Sequence, residues 1–266
     1  MTSAPRANDP EAISEAQRYI WNSTAASYPS VTAKAGEPLL DAAGVGEGTL
    51  VLDVACGPGL VAAAAAARGA LVTGLDFAEE MVEEARRQHP SIKFRVGDAA
   101  ALPFDDEAYD ALMIGFGIFL MAEPQKVLEE ANRVLKPGGR VAFTVWDTPE
   151  TLTAFSIVFG TVGAHIQPEP AEPPPLLGKA DEGLLTGVMT EAGFVDATFE
   201  RLPLVWELPS GDALFEAFRS FPNMEGASDD VLKAIRSDIL SKAAEYERDG
   251  RLHLPMPAIL VSGVRP

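Results

Sequence analysis

Between residues 49 and 146 short apolar runs alternate with helical stretches. That alternation restricts the fold more than any other feature of the chain. The runs are "TLVLDVA" (49–55), "LVTGLD" (71–76), "IKFRVGDA" (92–99), "YDALMIGFG" (109–117) and "GGRVAFTVW" (138–146). The first is apolar almost throughout and rich in β-branched residues, the pattern of a parallel strand buried on both faces. Between the runs lie an alanine-rich helix over 62–67 closed by Gly69, an amphipathic helix over 78–88 with acidic residues in its first turn, and a helix over 124–135 opened by Pro124. Strand–helix alternation with short connections predicts a doubly wound, mostly parallel α/β sheet. Ligands of such sheets sit beyond the carboxyl ends of the strands, near the switch in strand order. The loops after Asp53, Asp76, Gly97 and Ile114 are therefore expected to converge on one site.

The flanks are less regular. Residues 1–10 read as a flexible tail, 11–20 as a helix, and 21–35 as a polar loop carrying aromatics. After residue 147 the pattern predicts an apolar helix (151–166), a proline-rich loop (167–178), a helix (181–192), one long strand (195–208), helices over 211–220 and 228–247, and a last strand (258–265). The expected organisation is a single domain over 11–266. Within it, 11–147 form the ligand-binding core, 148–194 and 209–250 form a helical cap on the substrate side, and 195–208 and 258–265 complete the sheet.

Composition narrows the function. The 266 residues carry 39 acidic against 21 basic side chains, a formal charge of −18. So acidic a surface repels a phosphate backbone, which argues against nucleic acid and for a small or neutral substrate. Cys56 is the one cysteine, so no internal disulfide or cysteine-based zinc site can form, as suits a cytoplasmic protein. The amino-terminal residues lack the apolar stretch of a signal peptide, and no window is long enough for a membrane span. The expected partner is a small molecule, with no nucleic acid and no membrane; a homodimer is left open.

Gly57-Pro58-Gly59-Leu60-Val61-Ala62 fits G-x-G-x-x-A, and Asp76 follows Gly57 by 19 residues. Both features suit a dinucleotide fingerprint. Asp53 argues otherwise. A pyrophosphate brings negative charge to this turn, and a carboxylate at the strand end opposes it. S-adenosylmethionine (SAM) has no phosphate; it carries a sulfonium and an ammonium, which a carboxylate attracts.

"VLDVACGPG", "VTGLDFAEEMVEEAR", "VGDAAALPFDDEAYDALMIGFGIFL" and "EEANRVLKPGGRVAFTVW", in this order, closely resemble the class I SAM-dependent methyltransferases. The nearest subgroup is that of the ubiquinone/menaquinone C-methyltransferases and their small-molecule relatives. The resemblance covers roughly residues 15–147 and implies a Rossmann-like, seven-stranded sheet with SAM as cofactor. It implies that Asp53, Ala55, Gly57 and Gly59 cup the methionine end, and that Asp76 binds the ribose hydroxyls. Phe77 and Met81 are implied to flank the adenine, and Gly97, Asp98 and Ala99 to read its amino edge. Gly115 and Phe116 are implied at the methyl-transfer face, with Trp21 and Tyr28 closing over the cofactor. Ala55 stands where a glycine is often found. Phe119-Leu120 stand where the quinone enzymes have Arg-Asn, which suggests an apolar wall for a hydrophobic or aromatic acceptor.

No catalytic residue or metal site is assigned, since methyl transfer needs alignment first and a base only when the acceptor must lose a proton. His165, after the apolar helix expected to cap the cleft, is a candidate base; His89 is expected to be solvated and His253 to lie in a loop. Phe155, Phe159, Trp206, Phe215, Phe218 and Phe221 read as cap aromatics, some of which could line the acceptor pocket. The expected activity is methyl transfer to oxygen or carbon of a small apolar or aromatic molecule. The alternatives are a SAM-binding protein that does not methylate, cyclase-like or regulatory, and an NAD(P)-dependent oxidoreductase.

Overall fold

The computed structural model describes residues 10–24, 30–166, 173–219, 224 and 226–266. Five strands and their helices follow the expected order: β1 (Leu50–Val54), α3 (Leu60–Ala67), β2 (Leu71–Asp76), α4 (Glu79–Gln88), β3 (Lys93–Val96), β4 (Tyr109–Gly115), α5 (Pro124–Val134) and β5 (Leu135–Trp146). Ahead of them stand α1 (Pro10–Thr24) and α2 (Gly36–Ala42). The chain continues through α6 (Thr153–His165), α7 (Glu182–Glu191), β6 (Val195–Leu202), β7 (Val205–Leu208), α8 (Gly211–Phe218), α9 (Asp229–Ala243), β8 (Glu247–Arg248), β9 (Arg251–Pro255) and β10 (Ala258–Val264).

Seven strands form one sheet in the order β3-β2-β1-β4-β5-β10-β6, in which β10 runs antiparallel to both neighbours. The fold is the expected doubly wound α/β sheet. Its order reverses between β1 and β4, and Asp53 lies there, paired in register with Gly74 on one side and Met113 on the other. Val51, Leu52 and the Ala111–Ile114 run of β4 are fully buried, as strands covered on both faces must be. Glycines set the closest approaches: a Cβ at Gly74 would stand 2.5 Å from the Phe94 ring.

The carboxyl-terminal third departs from expectation in four ways. Residues 195–208 are not one strand. Pro203, which has no N–H for a ladder, separates β6 in the main sheet from β7, and β7 joins β9 and β8 in a second, antiparallel sheet. His253 lies in β9, not in a loop. α7 buries Leu185 and Met189 in the main core, so it belongs to the sheet's helical layer and not to a cap. The segment expected to be a helical cap is instead a mixed lobe, in which α6, α8, α9 and the small sheet share their own apolar cluster, including Ile157, Trp206, Phe218, Ile235 and Leu254. In the other half, α2 occupies a stretch for which the periodicity gave no helix, and its Leu39 and Leu40 are buried in the main core. Of the expected tail, Pro10 begins α1 and residues 1–9 lie outside the described residues.

Candidate functional site

One cavity opens at the carboxyl ends of β1, β2 and β4, with about 1210 Å³ of non-atom space, part of it open to solvent. Trp21, Asp53, Ala55, Gly57, Asp76, Phe77, Met81, Gly97, Asp98, Ala99, Gly115 and Phe116 all line it. Gly59 does not. It sits behind the wall as the residue capping α3, at φ +85°, where a Cβ would stand 2.8 Å from Phe94 Cζ and 3.0 Å from His89 Cδ2. Its absence of a side chain shapes the turn without facing a ligand. Tyr28 lies outside the described residues.

Asp76 ends β2 and is held by backbone donors: Gly57 N–H donates to Oδ2 and Ala78 N–H to Oδ1, both at 2.9 Å. The carboxylate thus fixes the glycine turn while each oxygen keeps a lone pair for a ligand. Asp53 is 1% exposed, and its Oδ2 has no hydrogen-bond partner. Burial pushes the Asp53 carboxyl up to about 8 from 3.8; the Asp76 charge adds to the rise, and the Ala62 backbone amide opposes it. Burial also raises Asp76, against the amides of Ala78, Gly57 and Phe77. A buried carboxyl group that lines a cavity and has one oxygen unmet favours a cationic or hydrogen-bond-donating ligand. Burial raises the thiol of buried Cys56, and the Asp53 and Asp76 charges add to the rise.

Two non-glycine residues in the wall have left-handed backbone, Ala55 at φ +55° and Phe116 at φ +57°. Such strain in residues with side chains gathers at functional sites. Opposite Ala55, a Cβ at Gly117 would stand 2.6 Å from Ala55 Cβ. The Ala55 side chain is therefore accommodated by a glycine across the cavity wall. Phe116 is held by its N–H donating to Thr144 Oγ1 at 3.1 Å, and by Trp146, whose ring lies 4.3 Å away.

The sequence reading missed part of the wall. Ser14 and Gln17 of α1 face the cavity with Trp21, and the Trp21 indole N–H donates to Gln17 Oε1 at 3.1 Å. The four-residue spacing of Gln17 and Trp21 on one helical face was the available signal. Arg18 packs its guanidinium 5.5 Å from the Phe77 ring centre, tying α1 to β2's end. Thr32, Leu120, Met121, Glu123 and Val127 also line the cavity. Of the apolar pair Phe119-Leu120, Leu120 lines the cavity and Phe119 is buried in the core.

The remaining candidates are displaced. His165 does not line the cavity; its Nε2 is 2.8 Å from Asp238 Oδ2, a clasp between α6 and α9. His89 is half-buried rather than solvated, with its Nε2 enclosed. Trp206, Phe215 and Phe218 are buried core of the second lobe. Phe155 and Phe159 pack beside them, and Phe221 lies outside the described residues. No described aromatic of that lobe lines the cavity. Asp147 is paired with Arg201 at 2.8 Å and accepts from Thr148 N–H.

Residues 52–143 match the family described as a methyltransferase domain. The resemblance is to the SAM-dependent methyltransferases. A demethylmenaquinone methyltransferase of Clavibacter sepedonicus is 46% identical over 105 residues, 38% of this chain and 43% of that protein. The chain thus spans about half or less of the length of such relatives. An uncharacterized protein of Mycobacterium tuberculosis is 28% identical over 267 residues, 94% of this chain and 95% of its own. Among solved structures, phosphoethanolamine N-methyltransferase 2 of Haemonchus contortus, in complex with S-adenosylhomocysteine, superposes with a TM-score of 0.55 at 20% identity. That alignment covers 88% of this chain and 52% of the other, and at such identity it speaks for the fold.

Proposed function

We propose that this chain is a SAM-dependent methyltransferase acting on oxygen or carbon of a small apolar or aromatic molecule. The observation that carries the reading is Asp53, a buried carboxylate with an unpartnered oxygen in a cavity lined by four acids and, among the described residues, no Lys, Arg or His. A pyrophosphate has nothing to pair with there, whereas a cation does. When bound, SAM supplies a methyl group already activated on a sulfonium. In this reading Asp53, Ala55 and Gly57 receive the methionine end and Asp76 the ribose hydroxyls. Phe77 and Met81 flank the base, while Gly97, Asp98 and Ala99 read its edge. Gly115 and Phe116 face the transfer position, and Trp21 closes the cavity from α1. Gly59 supports the turn from behind.

The chain's own contribution is alignment and exclusion of water, which can supply much of the acceleration for an in-line displacement. The apolar stretch Leu120, Met121, Ala122 and Val127 suits an apolar acceptor. No helix among the described residues is long and apolar enough to cross a membrane; the acidic surface and single buried cysteine fit a cytoplasmic enzyme that does not engage nucleic acid. Thermal-shift measurements test the reading: S-adenosylhomocysteine should raise the melting temperature and NAD(H) should not. Stabilisation by NAD(H) alone would refute it. Tight SAM binding without methylated product across a broad acceptor panel would favour the non-methylating alternative.

A further inference from the structure

A second groove lies beside the main cavity, and Ala122 lines both. Its other walls are Ile13 of α1 and the segment Pro173, Pro174, Pro175, Leu177 and Lys179. We propose that this groove holds the distal part of the methyl acceptor, which is an elongated apolar molecule carrying an anionic group at the end remote from the reacting atom. The inference rests on the methyltransferase reading of the main cavity and extends it to the substrate class.

Three observations carry it. First, the proline-rich segment is anchored. Leu176 and Ala180 are buried in the main core, Pro174 is buried, Leu177 N–H donates to Pro174 O, and Lys179 N–H to Leu176 O, both at 3.1 Å. Three successive prolines fix φ along the groove, so the wall is formed before a ligand arrives and little ordering cost falls on binding. Second, Leu177 is 41% exposed at the groove while Leu176 beside it is buried. An apolar ligand would cover that surface.

Third, the charges give the ligand a direction. The main cavity is lined by Asp53, Asp76, Asp98 and Glu123 with no basic side chain among the described residues. An anionic group is repelled from it. Among the described residues Lys179 is the one cation lining either space, and it forms no ion pair with any of them. The acceptor therefore lies with its anion at Lys179, its apolar body past Leu177 and Ala122, and its reacting end beside Phe116.

The test uses the fluorescent probe 11-(dansylamino)undecanoate on the full chain saturated with S-adenosylhomocysteine, competed by decanoate and by decanol. Decanoate should displace the probe about fivefold better than decanol at low salt, the range an exposed ion pair supplies, and the advantage should shrink at high salt. Lys179→Glu should abolish or reverse the preference. Leu177→Asp should weaken both competitors. Absence of probe binding, equal competition by acid and alcohol, or a preference unchanged in Lys179→Glu would each overturn the proposal. Calorimetry with S-adenosylhomocysteine separates the two readings. Both variants should bind it as the wild type does, which also reports folding. If the wild type fails to bind it, the methyltransferase reading falls independently of the groove.

Discussion

If ionised Asp53 is what the cofactor recognises, affinity for SAM must climb with pH through the neutral range. The carboxyl stands at about 8 in the free protein, chiefly because it is buried and secondarily because Asp76 lies close. At pH 6 about one molecule in a hundred then carries the charge, and at pH 9 about nine in ten. A ligand that binds only the ionised form gains about a hundredfold in affinity over that interval, ~2.7 kcal/mol. The α-ammonium of SAM loses its own proton near pH ~8 and opposes the gain. Asp53→Asn supplies the baseline, because it keeps the ligand's titration and removes the protein's. The ratio of wild-type to variant association constants, measured by calorimetry at half-unit steps from pH 6 to 9, should therefore rise about a hundredfold. The same substitution has an opposite signature without ligand. Between the ordinary carboxylate value and about 8 the folded chain holds a proton that the unfolded chain has released, so this group makes stability fall as pH rises, by about 1.4 kcal/mol per unit. Asp53→Asn should remove that decline and be the more stable protein at pH 8. A ratio that stays flat from pH 6 to 9 would refute the assignment of Asp53 to the cation, whatever the stability shows.

Asp76→Ala removes the acceptor that holds the Gly57 and Ala78 amides and the proposed ribose contact; S-adenosylhomocysteine affinity should drop by about 10²-fold or more in calorimetry, at ~1.5–3 kcal/mol per charged hydrogen bond, and a change under threefold would mean the ligand lies elsewhere. Gly117→Ala places its Cβ against Ala55 and should cost about 1–3 kcal/mol of stability in urea unfolding, much of it recovered by adding Ala55→Gly; no recovery would show that the contact is not the cause. His165→Ala should leave methyl transfer unchanged and cost under ~1 kcal/mol, since its partner Asp238 is largely exposed; a large loss of turnover would reinstate it at the site.

What could be read in the sequence was whatever depends on local periodicity and on charge. β1 announces itself because a parallel strand buried on both faces must be apolar almost throughout, and Asp53 stands out as the one charge in that run. The convergence of Asp53, Asp76, Gly97 and Phe116 then follows from strand order, since a switch between β1 and β4 puts those strand ends together. What could not be read depends on contacts between distant segments. α2 has only seven residues, too few for a helical period to show, and its stability comes from Leu39 and Leu40 docking on the sheet. The break at Pro203 is visible as a residue, but only the arrival of Met256, whose N–H donates to Leu204 O at 2.9 Å, determines that the chain leaves one sheet for another there. The displacement of His165 has the same origin. An apolar helix after β5 suits a lid over the cleft and the core of a second lobe equally well. The choice is made by Leu232, Ile235 and Ile239 of α9, some seventy residues onward, which share its apolar cluster. The cavity is lined instead by α1, whose Ser14, Gln17 and Trp21 reach it, and the proline-rich segment walls the neighbouring groove. The acceptor's identity is therefore written in the segments where the periodic signal is weakest, and the Lys179 and Leu177 variants probe one of them directly.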